Sequence, residues 1–123
     1  MADIIGDRVF DEGLDILTTD VERIVVLSAQ ATVYGDVATY LLGHKDTPTV
    51  TGPSDGASGR QVSVSTFTDG VVDGAGDVAA VALVNDTNSE LLVSHLYGAT
   101  YGVATGSPWS LTSALIVNLP DPT

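Results

Sequence analysis

Trp109-Ser110-Leu111-Thr112-Ser113-Ala114-Leu115-Ile116-Val117-Asn118-Leu119 alternates apolar and polar side chains almost without interruption. Trp109, Leu111, Ser113, Leu115, Val117 and Leu119 fall on one side of an extended chain. Ser110, Thr112, Ala114, Ile116 and Asn118 fall on the other. Successive side chains of a strand point to opposite faces, so the run predicts a strand with one face in an apolar core. It is a long strand, and Pro108 and Pro120 bracket it where a missing amide donor does least harm. A compact antiparallel β domain follows.

The rest of the chain repeats this message in shorter form. Arg60 to Thr68 sets Val62, Val64 and Thr66 against Ser63, Ser65 and Phe67, which predicts another strand. Val78 to Val84 is apolar at nearly every position; its β-branched valines and turn-rich flanks favour a strand covered on both faces over a helix. Asn85 to Ser89 is rich in turn formers, so Val78–Val84 and Glu90–Tyr97 read as an antiparallel hairpin. Arg23 to Ser28 is a strand around Ile24-Val25-Val26-Leu27. Thr47 to Gly59 is a turn-rich connection around a short strand at Thr49–Thr51, and residues 98–106 are a loop or weak strand.

Helical signals are fewer. Asp7 to Leu17 carries a capping aspartate, acids in its N-terminal half and a Phe10, Leu14, Leu17 stripe, broken by Thr18-Thr19-Asp20. Asp36 to Leu42 is either a short helical turn closed by Gly43 or an irregular arm. The expected fold is therefore mainly β, an antiparallel β-sandwich or jelly-roll-like architecture with one short N-terminal helix. A single β-rich domain spans residues 1–123. Residues 1–6 form either an N-terminal arm, whose Ile4 and Ile5 bind a partner, or a hydrophobic staple on the first helix.

Composition removes several function classes. The chain has no cysteine, which excludes disulfides, thiolate nucleophiles and cysteine-bound zinc. Its longest apolar stretch, Val78 to Val84, is far too short to span a membrane. Asp3 and Asp7 interrupt the N-terminus, which does not read as a signal peptide. Sixteen acidic residues stand against four basic ones, for a net charge of −12. Such a surface repels phosphate backbones and anionic lipid, so neither nucleic acid nor membrane is an expected partner. The acidity reads first as a device for solubility, and more sharply as a surface displayed outward at high copy number or in a salty habitat.

Motifs that elsewhere carry chemistry have plain explanations here. Gly52-Pro53-Ser54-Asp55-Gly56 has the G-x-S-x-G pattern of hydrolase nucleophiles, but no helix signal follows it, and a surface turn accounts for it. Gly74-Ala75-Gly76-Asp77-Val78-Ala79 matches the dinucleotide fingerprint, yet Asp77 would face the pyrophosphate and no parallel sheet is available; a turn is the better reading. Asp69, Asp73 and Asp77, spaced by four with glycines between them, offer hard oxygen ligands for calcium, against a competing reading as hydrated turn acids. His44 and His95 lie far apart, outside any ligand-pair spacing, and no serine–histidine–acid spacing is selected. The Asn85-Asp86-Thr87 sequon lacks a secretory context. Trp109 is in phase with Leu111 and Leu115, which favours the core over a sugar-stacking platform. No catalytic residue, cofactor site or firm metal site is predicted.

Several short motifs together resemble a known group. They are the opening Gly6-Asp7-Arg8-Val9-Phe10-Asp11 with Gly13-Leu14 and Arg23-Ile24, the central Leu42-Gly43, the Ala82-Leu83-Val84 and Leu91-Leu92 pair, and the ending Leu119-Pro120-Asp121-Pro122. Across nearly the whole chain this resembles the small virion proteins encoded among the head genes of tailed bacteriophages. The resemblance implies a non-enzymatic decoration, or cement, protein, made in the host cytoplasm and bound to the capsid exterior. The implied partner is the major capsid protein, with self-association, trimers included. Two alternatives stand beside it: a tail or fibre β-sandwich that binds host-surface glycans, and a minor tail or connector component.

Overall fold

A strand with apolar side chains at consecutive positions has no face to give to water, so it belongs in the middle of a sheet. The computed structural model describes residues 4–5, 15–56, 59–112 and 115–120. In chain order these form β1 (Ile4–Ile5), α1 (Asp15–Thr19), β2 (Arg23–Leu27), α2 (Tyr34–Tyr40), β3 (Leu41–Asp46) and β4 (Val50–Gly56). Then follow β5 (Gly59–Val64), β6 (Phe67–Val72), β7 (Gly76–Asn85), β8 (Glu90–Val103), β9 (Pro108–Leu111) and β10 (Leu115–Pro120). Seven strands make one sheet, in the order β1-β8-β7-β2-β3-β6-β9, and three make another, β10-β5-β4. Every pairing is antiparallel, and the architecture is the mainly β, sandwich-like one that the alternation predicts.

The two continuously apolar strands, β2 and β7, lie side by side in the middle, Arg23 opposite Val84 through Leu27 opposite Ala80. Ile24, Val26, Val81 and Leu83 enter one core, where Val62 and Val64 of β5 meet them from the smaller sheet. Val25, Leu27, Ala80, Ala82 and Val84 enter a second core under Val37, Tyr34 and Tyr40 of α2. The described residues thus form three layers: the small sheet, the large sheet and α2. A register slip between Val78 and Ala80 changes the phase of β7, so Val78 and Val81 share the first core although they are three residues apart.

Both long alternating runs divide where the chain changes sheets. The stretch from Trp109 to Leu119 is two strands: β9 ends at Leu111 beside β6, and β10 begins at Leu115 opposite Val64 of β5. Arg60 to Thr68 divides in the same way, β5 ending in the small sheet and β6 beginning at Phe67 in the large one. Alternation reports which side chains meet the core; it does not report which sheet carries them. Two other segments are more extended than expected. β4 runs through Gly56 with a register shift between Thr51 and Ser54, and β8 continues through the glycine-rich segment to Val103.

Among the described residues two short helices form, not one. Thr18 and Thr19 belong to α1, closed by the Asp20 N–H donating to the Ile16 carbonyl at 2.7 Å. Leu17 of α1 is fully buried, whereas residues 7–14 of the expected N-terminal helix lie outside the described residues. The segment from Asp36 to Leu42 is the end of α2 running directly into β3. Thr32 donates its N–H and hydroxyl to Asp36 (3.0 and 3.1 Å), which fastens the start of α2 and holds the Asp36 carboxyl below the usual range. Gly43 caps nothing. It lies inside β3 between Val26 and Val72, where a Cβ would stand 2.7 Å from the Val71 carbonyl oxygen.

One connection bends the large sheet. β8 and β9 stand second and last in the strand order, five spacings apart, which is about 24 Å in a flat sheet. The short link from Val103 to Pro108 contains five Cα steps and reaches at most about 19 Å. The sheet must therefore curl until β9 approaches β8. Trp109 is the wedge on the β9 side. Its ring covers Gly70, its Nε1 donates to the His44 carbonyl at 3.1 Å, and Phe67 meets it edge-on at 4.8 Å.

A Cβ on Gly70 would overlap the Trp109 ring, whereas Gly74 has open space around it. Gly70→Ala is expected to cost about 1–3 kcal/mol through overpacking, and Gly74→Ala less than about 0.5 kcal/mol. Urea unfolding followed by the emission of Trp109, the sole tryptophan, measures both. Equal midpoints for the two variants would contradict the wedge.

Candidate functional site

The approach of β9 to β8 leaves a groove of ≈ 770 Å³, a size typical of ligand sites. Its floor is Val26, Val78 and Leu115; residues 101–104 of the β8 side form one wall and residues 107–112 of the β9 side the other. The β8 wall is shaped by an irregular ladder. Val78 pairs with Tyr101 but Ala80 pairs with Leu96, so residues 97–100 bulge opposite the single Ala79. The bulge brings Tyr97 edge-to-face with Tyr101 at 5.9 Å, and Tyr97 lies edge-to-face with His95 at 5.1 Å. Burial, reinforced by Tyr101, holds the Tyr97 hydroxyl above the ordinary phenol range. Tyr101 itself is 60% exposed.

No aspartate, glutamate, lysine or arginine lines the groove among the described residues. In a chain with 16 acids that is a marked local departure, and it leaves a surface of aromatic rings and hydroxyls suited to binding.

The acids engage elsewhere. Asp86, in the turn between β7 and β8, meets the Arg23 guanidinium at 3.1 and 3.2 Å and accepts the Tyr34 hydroxyl at 2.7 Å. That hydrogen bond raises the Tyr34 hydroxyl above the usual phenol range. Glu22 accepts the N–H and the hydroxyl of Thr87, each at 2.7 Å, and these bonds hold its carboxyl below the usual range. The hairpin turn is thereby tied to β2 and α2.

The residues singled out from sequence are dispersed. Asp69 meets Lys45 at 3.1 Å, and Asp73 meets His44 Nδ1 at 2.6 Å. Asp77 stands exposed at the start of β7. Among the described residues no group of three or more acids or histidines is placed to hold a metal. Ser54 lies within strand β4, and the glycine-rich segment before Val78 leads into a strand, so neither motif has the helix its chemistry requires. The sequon's Asn85 is buried, its Nδ2 donating to the Asp20 carbonyl at 2.9 Å and its Oδ1 accepting the Asn88 N–H at 2.8 Å. Trp109 is 7% exposed, a core residue that also lines the groove. Ile4 and Ile5 pair through their backbones with Ser94 and Val93 of β8; their side chains lie outside the described residues.

Reading residues 98–106 as a loop or weak strand missed this site. A signal was present: tyrosines at 97 and 101, each followed by glycine, fit a strand that bulges. Comparison with protein-family models, with curated proteins and with solved structures finds no match.

Two pH dependences follow. The raised Tyr97 means that its contribution to stability is complete below about pH 10 and is lost as pH rises through the folded value. Tyr97→Phe should flatten that alkaline limb in pH-dependent urea unfolding; identical limbs would refute the burial argument. The lowered Glu22 has the opposite sign, contributing above about pH 4.5 and losing that contribution as pH falls through its folded value. Melting curves of wild type and Glu22→Gln should converge in acid and separate above that point, and a constant offset at every pH would count against it.

Proposed function

We propose that this chain is a non-enzymatic structural virion protein, a decoration protein that binds the outer surface of the major capsid lattice and stabilises it. The reading is supported first by the family resemblance of its short motifs along nearly the whole chain. The observation that carries it is the disposition of charge. Arg23 is bound to Asp86 and Lys45 to Asp69, so each base with a described side chain is already neutralised while the chain keeps a net charge of −12. A surface of that kind is held away from the packaged genome and kept dispersed in solution. It engages other proteins through uncharged patches and backbone edges, and the doubly covered β2–β7 centre gives those patches a rigid support. The partners on this reading are the major capsid protein and further copies of the chain.

A second reading, a tail or fibre module that binds host-surface glycans, is favoured by one feature, the exposed Tyr101 beside Tyr97. Trp109 gives it no support, because the ring is taken up by the core.

Electron microscopy of purified particles with a tagged copy separates the two. Hundreds of copies spread over the head, and loss of heat resistance when the protein is stripped away, are the expected results. Copies confined to the tail, or particles equally heat-resistant without it, would overturn the decoration reading.

A further inference from the structure

The groove touches residues 107–112 and 101–104 without skipping any. Side chains of a strand alternate between faces, so a cavity lying on one face would touch every second residue. Contact with every residue in succession places the cavity along the hydrogen-bonding edges of the two strands. Among the described residues both edges are open there. β9 is the last strand of its sheet and pairs with β6, while the outer side of β8 pairs with β1 at Ser94 and Val93 and not beyond. Strands joined by so short a link ordinarily pair as a hairpin. Here the link is closed by the Ser107 N–H donating to the Ala104 carbonyl at 3.1 Å, but beyond that turn no ladder joins the two strands among the described residues, and the slot opens between them. A residue in a strand takes about 3.3 by 4.8 by 10 Å, or about 160 Å³. The ≈ 770 Å³ of the groove therefore admits about five residues, an ordinary strand length.

We propose that this slot receives a strand: an extended, non-acidic segment of a partner protein enters between β8 and β9 and pairs its backbone with the β9 edge. Its alternate apolar side chains pack against Tyr97, Tyr101 and Val103, groove-lining side chains that keep exposed surface. Charge selects the partner. Among the described residues no aspartate, glutamate, lysine or arginine lines the slot, but the net charge of −12 around it opposes any acidic segment, a second copy of this chain included, and favours one with basic flanks. The inference stands on the strand edges and does not require the virion reading.

The test is a library of random nonapeptides displayed on yeast and panned against the whole chain. Enriched sequences should alternate apolar and polar residues, lack proline and carry lysine or arginine near their ends. A synthetic peptide of that kind should shift the Trp109 emission, and its version with a central proline should bind about ten-fold more weakly or worse, having lost ladder hydrogen bonds. Ser110→Asp and Thr112→Asp, at exposed positions of the β9 wall, should weaken binding to a similar degree while leaving the urea midpoint unchanged. The strand site is refuted if no peptide enriches, or if the best one binds these variants and tolerates proline as well as before. A concentration-dependent dimer abolished by the same two variants would refute the choice of partner and put a second copy in the slot. Failure of the chain to coat capsids leaves these outcomes unaffected.

Discussion

The structure depends on the pairing of β2 with β7. Both strands carry valine, leucine, isoleucine or alanine on both faces, so neither tolerates an edge position or a wet face. Each large side chain buried there contributes about 1.5–3 kcal/mol, and the ladder between the strands satisfies backbone groups that no water reaches. Two separate covers are then obligatory. The small sheet supplies Val62 and Val64 on one side, and α2 supplies Val37, Tyr34 and Tyr40 on the other. Short as it is, α2 persists because it is packed, not because its sequence favours a helix; Gly35 and two tyrosines are weak helix formers.

From that centre the short link between β8 and β9 imposes the curl, and the curl creates the groove. Trp109 holds the far wall by three different means: a ring seated on Gly70, an indole N–H on the His44 carbonyl, and an edge contact with Phe67. The same residue serves core and groove because the first core opens into the slot at this end. Structure and surface charge then divide the work. The acids of the β7–β8 turn and of the β3–β6 side are absorbed in fastening elements together, through Asp86, Glu22, Asp73 and Asp69. Among the described residues the groove is lined by no aspartate, glutamate, lysine or arginine.

The core was largely legible from the chain because burial imposes a period on the residues themselves. Ile24 to Leu27, Val62, Val64, Val78, Ala80 to Val84, Trp109 and Leu111 all lie where the apolar pattern puts them. The hairpin at Asn85 to Ser89 was legible for the same reason, with turn formers placed between two apolar runs. Strand β3 was hidden, since Leu41-Leu42-Gly43-His44-Lys45-Asp46 has no alternation and becomes a strand by lying between β2 and β6. The groove was only hinted at: Tyr97 and Tyr101 would stand about 13 Å apart on a regular strand, and they meet because of the bulge opposite Ala79, a property of the ladder.

What the residues determined unaided was composition of the interior: which side chains leave water, and how strongly the surface repels other anions. These follow from local periodicity and from charge, both readable one residue at a time. Partition of the strands between two sheets, the splitting of the stretch from Trp109 to Leu119, and the curl that opens a slot between β8 and β9 belong to the tertiary structure. An alternating strand fits either wall of a shared core equally well, and only the lengths of the connections and the packing of all the walls together select one arrangement.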